Sequence, residues 1–406
     1  METIVLKFGG TSVGTLERIA AVAKIIKEAK KEAFPIVVVS AMSGETDRLI
    51  NLANSVHENP PKREYDALIS TGEKVSAALV AMSLDKVGVA SKSYSAAQIS
   101  MKTTAQFSKA KIINIDFTKI EEAINNDFVP VITGFQGITD QGDITTLGRG
   151  GSDTTAVAIA AAMKSVRCDI YTDVDGVYTT DPNVVPEAKK LDQITMEEML
   201  ELSGQGAKVM QVRAVEFASK YKVPVRVLSS FKSGAGTLIS LEEPNMETME
   251  KAVLSGIAFQ KDQSKFTFQG VKDSPGIAYS ILSPIAAEGI EVDVIIQNIS
   301  NEGKTDFTFT TSSVDRKAVE NIFAQKLQDL DYDNLVIDDN VGKVSIVGVG
   351  MRTHAGIASR AFEALARESI NISMISTSEI KITLVINVDD VNKAVQILHS
   401  AFELEK

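Results

Sequence analysis

The chain has 406 residues, a formal net charge of -11 at pH 7 and 44% hydrophobic residues. This length provides for two or three domains of about 100–200 residues each. The acidic balance excludes a general affinity for nucleic acid, which depends on basic patches against phosphate. The single cysteine, Cys168, excludes an internal disulfide. No apolar run approaches the ~20 residues that span a bilayer, and Glu2 stands where a signal peptide would carry basic residues. We therefore predict a cytoplasmic protein without a nucleic-acid or membrane partner.

The first part of the chain alternates strand and helix patterns. Short apolar, β-branched runs predict strands at TIVLKFGG, FPIVVVSAMSG, FVPVITGFQG and SVRCDIYTDVDG. Apolar residues at helical spacing predict helices at TLERIAAVAKIIKEAKKE and at the alanine-rich GSDTTAVAIAAAMKS. Strands that alternate with helices indicate a parallel sheet covered by helices on both faces. This α/β region extends to about Leu241, and EEPNMETMEK follows it as a predicted linker.

An internal repeat occupies the rest of the chain. The segment 274–295 aligns without gaps with 354–375, at an offset of 80 residues. Each copy predicts a strand, a glycine turn, a helix, two strands and a second helix, but only the first has a closing strand, YDNLVIDD. The second copy reaches Lys406 directly after its last helix. The segment KAVLSGIAFQ, residues 251–260, has the length and β-branched content of the missing strand, so we predict that the first copy is inserted within the second.

The first strand ends in an unusual turn, KFGGTSV, in which Lys7 precedes Gly9 and Gly10. Glycines expose backbone N–H groups and let a large anion come close, and a lysine supplies a compact positive charge. Both features suit phosphate, while a tight turn beside a surface lysine explains the pattern equally well. The turn differs from a Walker A loop because Lys7 stands before the glycines.

A second glycine-rich stretch, TTLGRGGSDTTA, leads into the alanine-rich helix. A helix N-terminus favours anions, and Arg149 among three glycines can hold a carboxylate by two parallel hydrogen bonds. The alternative is that Asp153 only caps the helix and that Arg149 is a surface residue.

Three further motifs carry polar groups with weaker signals. In STGE, Glu73 begins a helix, where capping is the simpler interpretation and binding of an ammonium group is the functional one. In YTDVDGVYTTDP, Asp173, Asp175 and Asp181 form an acidic loop that suits a solvated turn, the sugar of a nucleotide or Mg²⁺. In GAKVM, Lys208 by itself indicates only a solvated face. The three histidines lack zinc-ligand spacing, and we predict no protein metal site.

Taken together, these motifs resemble those of the aspartate kinase family, within the amino acid kinase superfamily. The family's order and spacing are matched along the whole chain by KFGGTSV, SAMSGETD, STGE, ITGFQG, TTLGRGGSDTTA, YTDVDGVYTTDP and GAKVM. The repeated units resemble the family's two ACT domains, which are small amino-acid sensors. One departure is Lys74, where the family often has glutamine, and we expect this side chain to face away from Glu73.

The resemblance implies an architecture. It implies an α/β fold in which an amino-acid-kinase-like three-layer αβα sandwich with a mainly parallel sheet is followed by two ferredoxin-like ACT domains. Each ACT domain has the order βαββαβ, and the first is inserted within the second. The expected domains are a catalytic domain at 1–245, a first ACT domain at 264–340, and a second ACT domain at 251–260 plus 341–406.

The resemblance also implies a reaction. ATP phosphorylates the β-carboxylate of L-aspartate to give 4-phospho-L-aspartate and ADP, the committed step toward lysine, threonine, methionine and isoleucine. The expected catalytic residues are Lys7, Glu73, Arg149 and Asp153; Lys7 touches the transferring phosphoryl group and Asp153 orients it. Aspartate is expected to bind at Ser40, Thr46, Asp47, Glu73, Arg149, Gly150, Gly151 and Ser152. ATP is expected to bind at Lys7, Phe8, Gly9, Gly10, Ser12, Thr172, Asp173, Tyr178, Thr179, Asp181, Pro182, Lys208 and Val209, with Mg²⁺ bridging its phosphates and few direct protein ligands.

The ACT resemblance implies feedback inhibition by lysine, threonine or both. It also implies a homodimer or higher homo-oligomer through the ACT domains, with a separately translated regulatory subunit as a further partner. The expected effector contacts are Asp273, Ile277, Val292, Gln297 and Asn298 in the first domain and Ile357, Ala358, Asn371, Ile372, Ser378 and Glu379 in the second. Gln297 and Asn298 are expected to follow a buried strand, where polar side chains need partners.

Two alternatives are left open by the sequence. Another amino acid kinase, acting on acetylglutamate, glutamate or carbamate, explains the phosphate loops but not the paired ACT units. A catalytically idle amino-acid sensor keeps the fold, but the set of Lys7, Glu73, Arg149 and Asp153 argues against it.

Overall fold

The computed structural model describes residues 1–207, 209–241, 253–299, 303–327, 330–349, 351 and 356–406. The predicted linker EEPNMETMEK and Lys208 lie outside these residues. The described chain divides into two compact units. The first holds Met1–Tyr178, Lys190–Gly204 and the described residues from 209 to 241; the second holds Thr179–Lys189, Gln205–Ala207 and the described residues from 253 onward.

The first unit contains eight helices and twelve strands among its described residues. Its helices are α1 (Leu16–Ala29), α2 (Glu45–Val56), α3 (Lys62–Ile69), α4 (Thr71–Lys86), α5 (Thr118–Asn125), α6 (Gly151–Ala162), α7 (Met196–Gly204) and α8 (Val212–Tyr221). Its strands are β1 (Thr3–Phe8), β2 (Phe34–Val39), β3 (Ser91–Tyr94), β4 (Lys102–Thr103), β5 (Ile112–Asn114), β6 (Val129–Thr133), β7 (Gln136–Ile138), β8 (Ile144–Thr146), β9 (Arg167–Thr172), β10 (Gln193–Thr195), β11 (Val225–Ser229) and β12 (Thr237–Ser240).

The main sheet of this unit is mostly parallel. Its order is β10-β12-β11-β9-β1-β2-β6-β3, and the run from β11 to β3 is parallel throughout. Every residue of β1 and β2 is buried, as expected of central strands covered on both faces. The carboxyl ends of β1, β2, β6, β9 and β11 meet at one edge, and the strand order diverges in both directions from β1. Such a switch point is where open α/β sheets bind ligands.

A small second sheet ends shortly before α6 in the sequence. Its order is β5-β4-β7-β8, and β8 ends at Thr146, just before the glycine-rich stretch.

Helices α3 and α4 together form Lys62–Lys86, the one described helical stretch long and apolar enough to cross a membrane by length and composition. Core helices of soluble proteins meet the same criterion, and 44% of its most apolar window is buried.

The second unit is built around one six-stranded antiparallel sheet with the order β14-β15-β13-β16-β18-β17. Its strands are β13 (Val253–Lys272), β14 (Ile295–Ile299), β15 (Lys304–Ser312), β16 (Asn334–Val349), β17 (Ile372–Thr377) and β18 (Lys381–Asn387). Its helices are α9 (Ile277–Ala287), α10 (Arg316–Lys326), α11 (Ile357–Arg367) and α12 (Val391–Ala401), with 3₁₀ turns before α10 and α12.

Two βαββαβ modules share the long strands β13 and β16. The later half of β13 pairs with the early half of β16 and with β15, around a core that includes Phe266, Phe309 and Phe323. The early half of β13 pairs with the later half of β16, around a separate core that includes Ile346 and Leu384. The predicted insertion of the first module within the second is therefore confirmed.

The junction between the modules differs from the expected one. The expected boundaries near 260–264 and 340–341 fall inside continuous strands, not in loops. The register of β13 against β16 shifts on both sides of Gln263, which identifies a bulge between the two modules. A bulge bends a strand without ending it, so the apolar pattern alone does not separate one long strand from two short ones.

The segment Thr179–Lys189 also departs from the expected catalytic domain of 1–245, because it packs with the second unit. Val185 is buried in the core of the second module, and the Ile257 N–H donates to the Thr179 carbonyl at 2.7 Å. Gln396 in α12 donates to the Val184 carbonyl at 2.9 Å. These are long-range contacts, which a local sequence pattern does not reveal.

Candidate active site

Lys7 stands near the carboxyl end of β1 and is held by a buried ion pair. Its Nζ lies 2.5 Å from Oδ1 of Asp153, and each side chain is only 10% exposed. Asp153 is in the first turn of α6, where every residue from Gly151 to Ala160 is buried. The small side chains of this helix let it pack closely against β1 and β2. The fold thus fixes an ammonium group at the ligand-binding edge of the sheet.

The turn after Lys7 is tight and keeps space beside the ammonium. The Ser12 N–H donates to the Gly9 carbonyl at 3.0 Å. A Cβ at Gly9 would lie 3.5 Å from the Lys7 Nζ, and a Cβ at Gly10 would lie 3.1 Å from the Ala41 carbonyl oxygen. Glycine at both positions therefore leaves room for a ligand and for the neighbouring strand.

Several groups expected to face ATP in this turn are engaged with the protein. The Gly9 N–H, expected to be available to phosphate, donates to the Tyr171 carbonyl at 3.1 Å. The Ser12 hydroxyl is buried and accepts a 2.8 Å hydrogen bond from Ser230. The Phe8 ring is fully buried and stacks on Tyr171 at 4.8 Å between ring centroids. In this structure these side chains and the Gly9 N–H support the turn.

Glu73 is a buried carboxylate with one open oxygen. It lies in the first turn of α4, is 3% exposed, and accepts the Ala41 N–H through Oε1 at 3.1 Å. Its Oε2 is buried and has no hydrogen-bond partner among the described residues. Burial raises the pKa of Glu73 to about 7, against the opposing effect of the Glu73 and Ala41 N–H groups and of the Gln136 side chain. An ammonium group is the ligand such an oxygen accepts best. Lys74 is exposed, as expected of a side chain that faces away from Glu73.

The remaining aspartate-site candidates after β2 lie on the chain that leads into α2. Ser40 extends the strand pairing, because its N–H donates to the Phe8 carbonyl at 3.1 Å. Thr46 and Asp47 are in the first turn of α2, and Asp47 is exposed. These three residues stay predictions.

Arg149 is exposed between two glycines in left-handed conformations. Gly148 has φ 80° and Gly150, which caps α6, has φ 67°. A Cβ at Gly150 would lie 1.8 Å from Cγ of Gln211, so only glycine fits. No ion pair holds the Arg149 guanidinium within the described part of the chain. The backbone is thus fixed while the charged group is left open at the start of a helix. Gly151 and Ser152, the next aspartate-site candidates, are buried in the first turn of α6.

The expected nucleotide residues fall into two groups. Thr172 and Asp173 follow β9, where the Thr172 hydroxyl donates to Asp173 at 3.1 Å and the Ser230 N–H donates to the Thr172 carbonyl at 2.9 Å. The Tyr178 hydroxyl donates to Asp175 at 2.8 Å, and burial followed by this bond raises the pKa of Tyr178. Val209 is partly buried, and Lys208 lies outside the described residues.

The second group, Thr179, Asp181 and Pro182, belongs to the segment that packs with the second unit. The buried Thr179 hydroxyl lies 2.9 Å from Nε2 of His399 and accepts the Lys189 N–H at 3.0 Å. Its side chain therefore contacts His399 in this structure, and its expected nucleotide contact stays a prediction. Asp181 and Pro182 are exposed.

Each βαββαβ module has a small cavity near the expected effector residues. A cavity of about 450 Å³ in the first module brings together Asp273, Ile277 and Gln297. A cavity of about 360 Å³ in the second brings together Ala358, Ser378 and Glu379. The other candidates do not line them: Val292, Ile357 and Ile372 pack on the module cores, and Asn298 and Asn371 are exposed.

The expectation that Gln297 and Asn298 follow a buried strand is wrong. Both lie within β14, which is an edge strand, and both are exposed. Ile295 and Ile296, directly before them, begin β14, while the rest of the expected strand, residues 291–294, precedes it.

Two site-supporting residues were not identified from the sequence. Asp66 in α3 is fully buried and holds the end of β8, and Arg213 in α8 holds the carbonyl of Leu147. Both form hydrogen bonds with the backbone just before Arg149. Neither stands in a glycine-rich motif, so no local signal distinguishes them from ordinary helical residues.

Comparisons with known proteins identify the family. The model of the amino acid kinase family matches residues 2–229, and a model of the ACT domain matches residues 344–402. An aspartokinase from Pseudomonas aeruginosa is 54% identical over 406 residues, a match that covers 100% of this chain and 98% of the relative. An aspartokinase from Helicobacter pylori is 46% identical over 408 residues, covering 99% and 100%.

Solved structures of E. coli aspartokinase III are similar over the full length. Its complex with aspartate and ADP, in the R-state, aligns with a TM-score of 0.83 at 26% identity and covers 99% of this chain and 100% of that chain. Its complex with lysine and aspartate, in the T-state, aligns with a TM-score of 0.73 at 26% identity and covers 98% and 99%. The chain therefore belongs to the amino acid kinase family, and within it to the aspartokinases. The expected family and α/β fold class are confirmed.

Proposed function

We propose that this enzyme transfers the γ-phosphoryl group of ATP to the β-carboxylate of L-aspartate, giving 4-phospho-L-aspartate and ADP. The observation that carries the proposal is the buried Lys7–Asp153 pair, 2.5 Å between Nζ and Oδ1, at the carboxyl edge of a mainly parallel sheet. A fixed cation at this edge suits a reaction that brings two anions together. The relatives named aspartokinase support aspartate as the acceptor.

Lys7 stabilises the charge that spreads over the transferring phosphoryl group. The substrate carboxylate attacks phosphorus directly, so the protein supplies position and electrostatic stabilisation and forms no covalent intermediate. Asp153 keeps the ammonium in place, so little reorganisation accompanies the transfer. Gly9 and Gly10 keep the space beside Lys7 open.

The aspartate substrate has two groups besides the reacting carboxylate. Its ammonium binds the open Oε2 of Glu73, and this contact restores the ionised form of a carboxylate whose pKa burial has raised to about 7. Its α-carboxylate binds Arg149 through two parallel hydrogen bonds at the start of α6. Ser40, Thr46, Asp47, Gly150, Gly151 and Ser152 complete this subsite.

ATP binds along the carboxyl ends of β1 and β9. Thr172, Asp173, Tyr178, Lys208 and Val209 are proposed contacts, with Asp181 and Pro182 as further ones. No cluster of three or more His, Cys, Asp or Glu side chains that could hold a metal ion occurs among the described residues. We propose that Mg²⁺ is bound mainly by the nucleotide phosphates. When bound, Mg²⁺ supplies positive charge to the phosphates.

The competing substrate N-acetylglutamate fits this site less well. Its amino group is an uncharged amide, so it leaves the Glu73 carboxylate without a counter-charge in a buried position. The experiment is to add hydroxylamine during turnover, because it traps an acyl phosphate as a hydroxamate. We expect aspartyl hydroxamate from aspartate. If aspartate, glutamate and N-acetylglutamate all give no hydroxamate, a catalytically idle sensor describes the protein better.

We propose that lysine, threonine or both inhibit the enzyme by binding at the ACT cavities. E. coli aspartokinase III has been solved in complex with lysine and aspartate, which supports an amino-acid effector. In this chain, the cavity of the first module combines a carboxylate, Asp273, with an amide, Gln297, and both groups suit a zwitterionic ligand.

The assembly is proposed to be a homodimer or higher homo-oligomer in the cytoplasm. The edge strands β14 and β17 expose Ile295 and Ile375, at 48% and 44%. Unpaired strand edges with apolar side chains favour pairing with a second copy. A separately made regulatory subunit stays a prediction.

A further inference from the structure

A buried carboxylate fixes the end of β8, three residues before Arg149. Asp66 is fully buried, and its two oxygens accept four hydrogen bonds. Two come from Ser108, through N–H at 2.8 Å and Oγ at 2.9 Å. Two come from Thr146, through N–H at 2.7 Å and Oγ1 at 3.0 Å. The base of the loop that carries Arg149 is therefore held from α3.

A guanidinium group holds the next residue of the same loop. Nη1 of Arg213, near the start of α8, donates to the Leu147 carbonyl at 2.7 Å, and Nη2 donates to the Ala110 carbonyl at 2.7 Å. The Ala110 N–H donates in turn to the Thr146 carbonyl at 3.0 Å. One planar group thus joins two neighbouring stretches of chain and fixes the spacing between them.

The position of Arg213 is energetically unfavourable for a charged side chain that has no specific role. It is partly buried, and none of the described carboxylates lies within ion-pair distance of it. Burial lowers the pKa of Arg213, with Glu216 opposing the effect. It also sits in the first turn of α8, where the helix dipole disfavours a cation. Its hydrogen bonds go to backbone carbonyls of the Arg149 loop and of the chain beside it.

We propose that Arg213 is a positioning residue for the phosphoryl-transfer reaction, acting by fixing the loop that aims Arg149 at the α-carboxylate of the substrate. Asp66 fixes the base of the loop, Arg213 fixes Leu147, and Gly150 abuts Gln211, so the backbone is held on both sides of Arg149. This inference rests on the proposed role of Arg149.

The test uses the full chain and four variants: Arg149→Ala, Arg213→Met, the double variant, and Lys102→Met as a control. Lys102 is also a partly buried cation that bonds a backbone carbonyl, that of Thr139, but at the opposite end of the β7–β8 hairpin. The readouts are KM for aspartate, KM for ATP, kcat and the midpoint of thermal unfolding. A structural role alone moves the midpoint without separating the two KM values.

We expect Arg213→Met to raise KM for aspartate about tenfold and KM for ATP less than about twofold, because small displacements of a binding group are costly. The Lys102→Met control should leave both KM values unchanged. In the Arg149→Ala background, Arg213→Met should add nothing to KM for aspartate, since it acts through Arg149.

Equal increases in the two KM values, or full additivity with Arg149→Ala, would overturn the inference and leave Arg213 as a general support of the fold. If Arg149→Ala itself leaves KM for aspartate unchanged, the proposed role of Arg149 fails first, which is a separate outcome. If Arg213→Met does not fold, Arg213→Lys replaces it: lysine keeps the charge but not the two-pronged bond. A normal KM for aspartate in that folded variant also overturns the inference.

Discussion

Two buried ionisable residues define the proposed chemistry at the scale of single side chains, and their surroundings differ. Lys7 is paired with Asp153, so its ammonium is fixed before any ligand arrives. Glu73 lacks a partner for one oxygen, and burial alone raises its pKa to about 7. In the proposed reaction, Lys7 acts on the transition state and Glu73 binds the ammonium group of the substrate.

Lys7→Ala is expected to lower kcat by about 100-fold or more while the fold is kept, because Lys7 acts on charge that develops during transfer. Steady-state kinetics and circular dichroism on the purified variant measure this. A kcat near that of the parent enzyme, with an intact spectrum, would remove Lys7 from the mechanism.

The raised pKa of Glu73 predicts a pH dependence. Its folded pKa, about 7, is above the ordinary value of 4.5, so the folded state binds more protons between these values and stability falls as pH rises from about 4.5 to 7. Without substrate, Glu73→Gln should therefore raise the unfolding midpoint at pH 8 and change it little at pH 4.5. The free-energy gain at pH 8 is on the order of 3 kcal/mol.

Substrate binding should show the opposite trend. The ammonium of aspartate needs the ionised carboxylate, so KM for aspartate should rise as pH falls from 8 to 6 in the parent enzyme. The same profile should be flatter in Glu73→Gln. A parent KM that is constant over this range would show that Glu73 does not bind the ammonium.

At the scale of elements, the site depends on where strands and helices end. β1 ends next to Lys7, α4 begins near Glu73, and α6 begins after Gly150.

Gly150→Ala should lower the free energy of unfolding by at least about 2 kcal/mol more than Gly88→Ala does, because the new Cβ at residue 150 would overlap Gln211. Gly88 is the matched control: its φ of 78° is similar, and nothing lies within 4 Å of its added Cβ. Chemical denaturation of both variants measures the difference, and equal costs would contradict the packing argument.

Sequence patterns correctly predict the strands and helices whose own apolar residues form one continuous buried stretch. The strands β1, β2, β6 and β9 and the helices α1 and α6 form where expected, because each buries β-branched or small apolar residues locally. The packing of the segment Thr179–Lys189 with the second unit is not predictable from the local sequence, because it depends on Val185 being buried in a core that is distant in sequence. The same reason applies to Asp66 and Arg213, whose partners are 42–80 and 66–103 residues away.

The position of Gln297 also depends on tertiary context. The sequence pattern predicts a buried strand that ends before Gln297, yet β14 continues through Gln297 at the edge of the sheet. An edge strand and a central strand share the same local pattern of β-branched residues. Only the pairing decides which of them is exposed.

At the scale of the whole molecule, the two shared strands make the ACT modules one structural body in which an effector can act. Gln297→Ala should raise the lysine or threonine concentration for half-inhibition at least about fivefold, and uninhibited kcat should stay unchanged. Gln269→Ala is the matched control, since Gln269 is exposed on the same sheet and outside the cavity. Unaltered inhibition in Gln297→Ala would exclude the first-module cavity as the effector site.

The most direct test of the central claim is ADP release by the parent enzyme with ATP, Mg²⁺ and one acceptor at a time. N-acetylglutamate lacks the ammonium group that the proposed Glu73 subsite binds. Glutamate keeps this group but has a longer chain, which changes the distance from the α-carboxylate at Arg149 to the reacting carboxylate. We predict rapid ADP release with aspartate, little with the other two, and loss of the aspartate-dependent rate in Lys7→Ala. ADP release that is faster with N-acetylglutamate or glutamate than with aspartate would contradict the assignment.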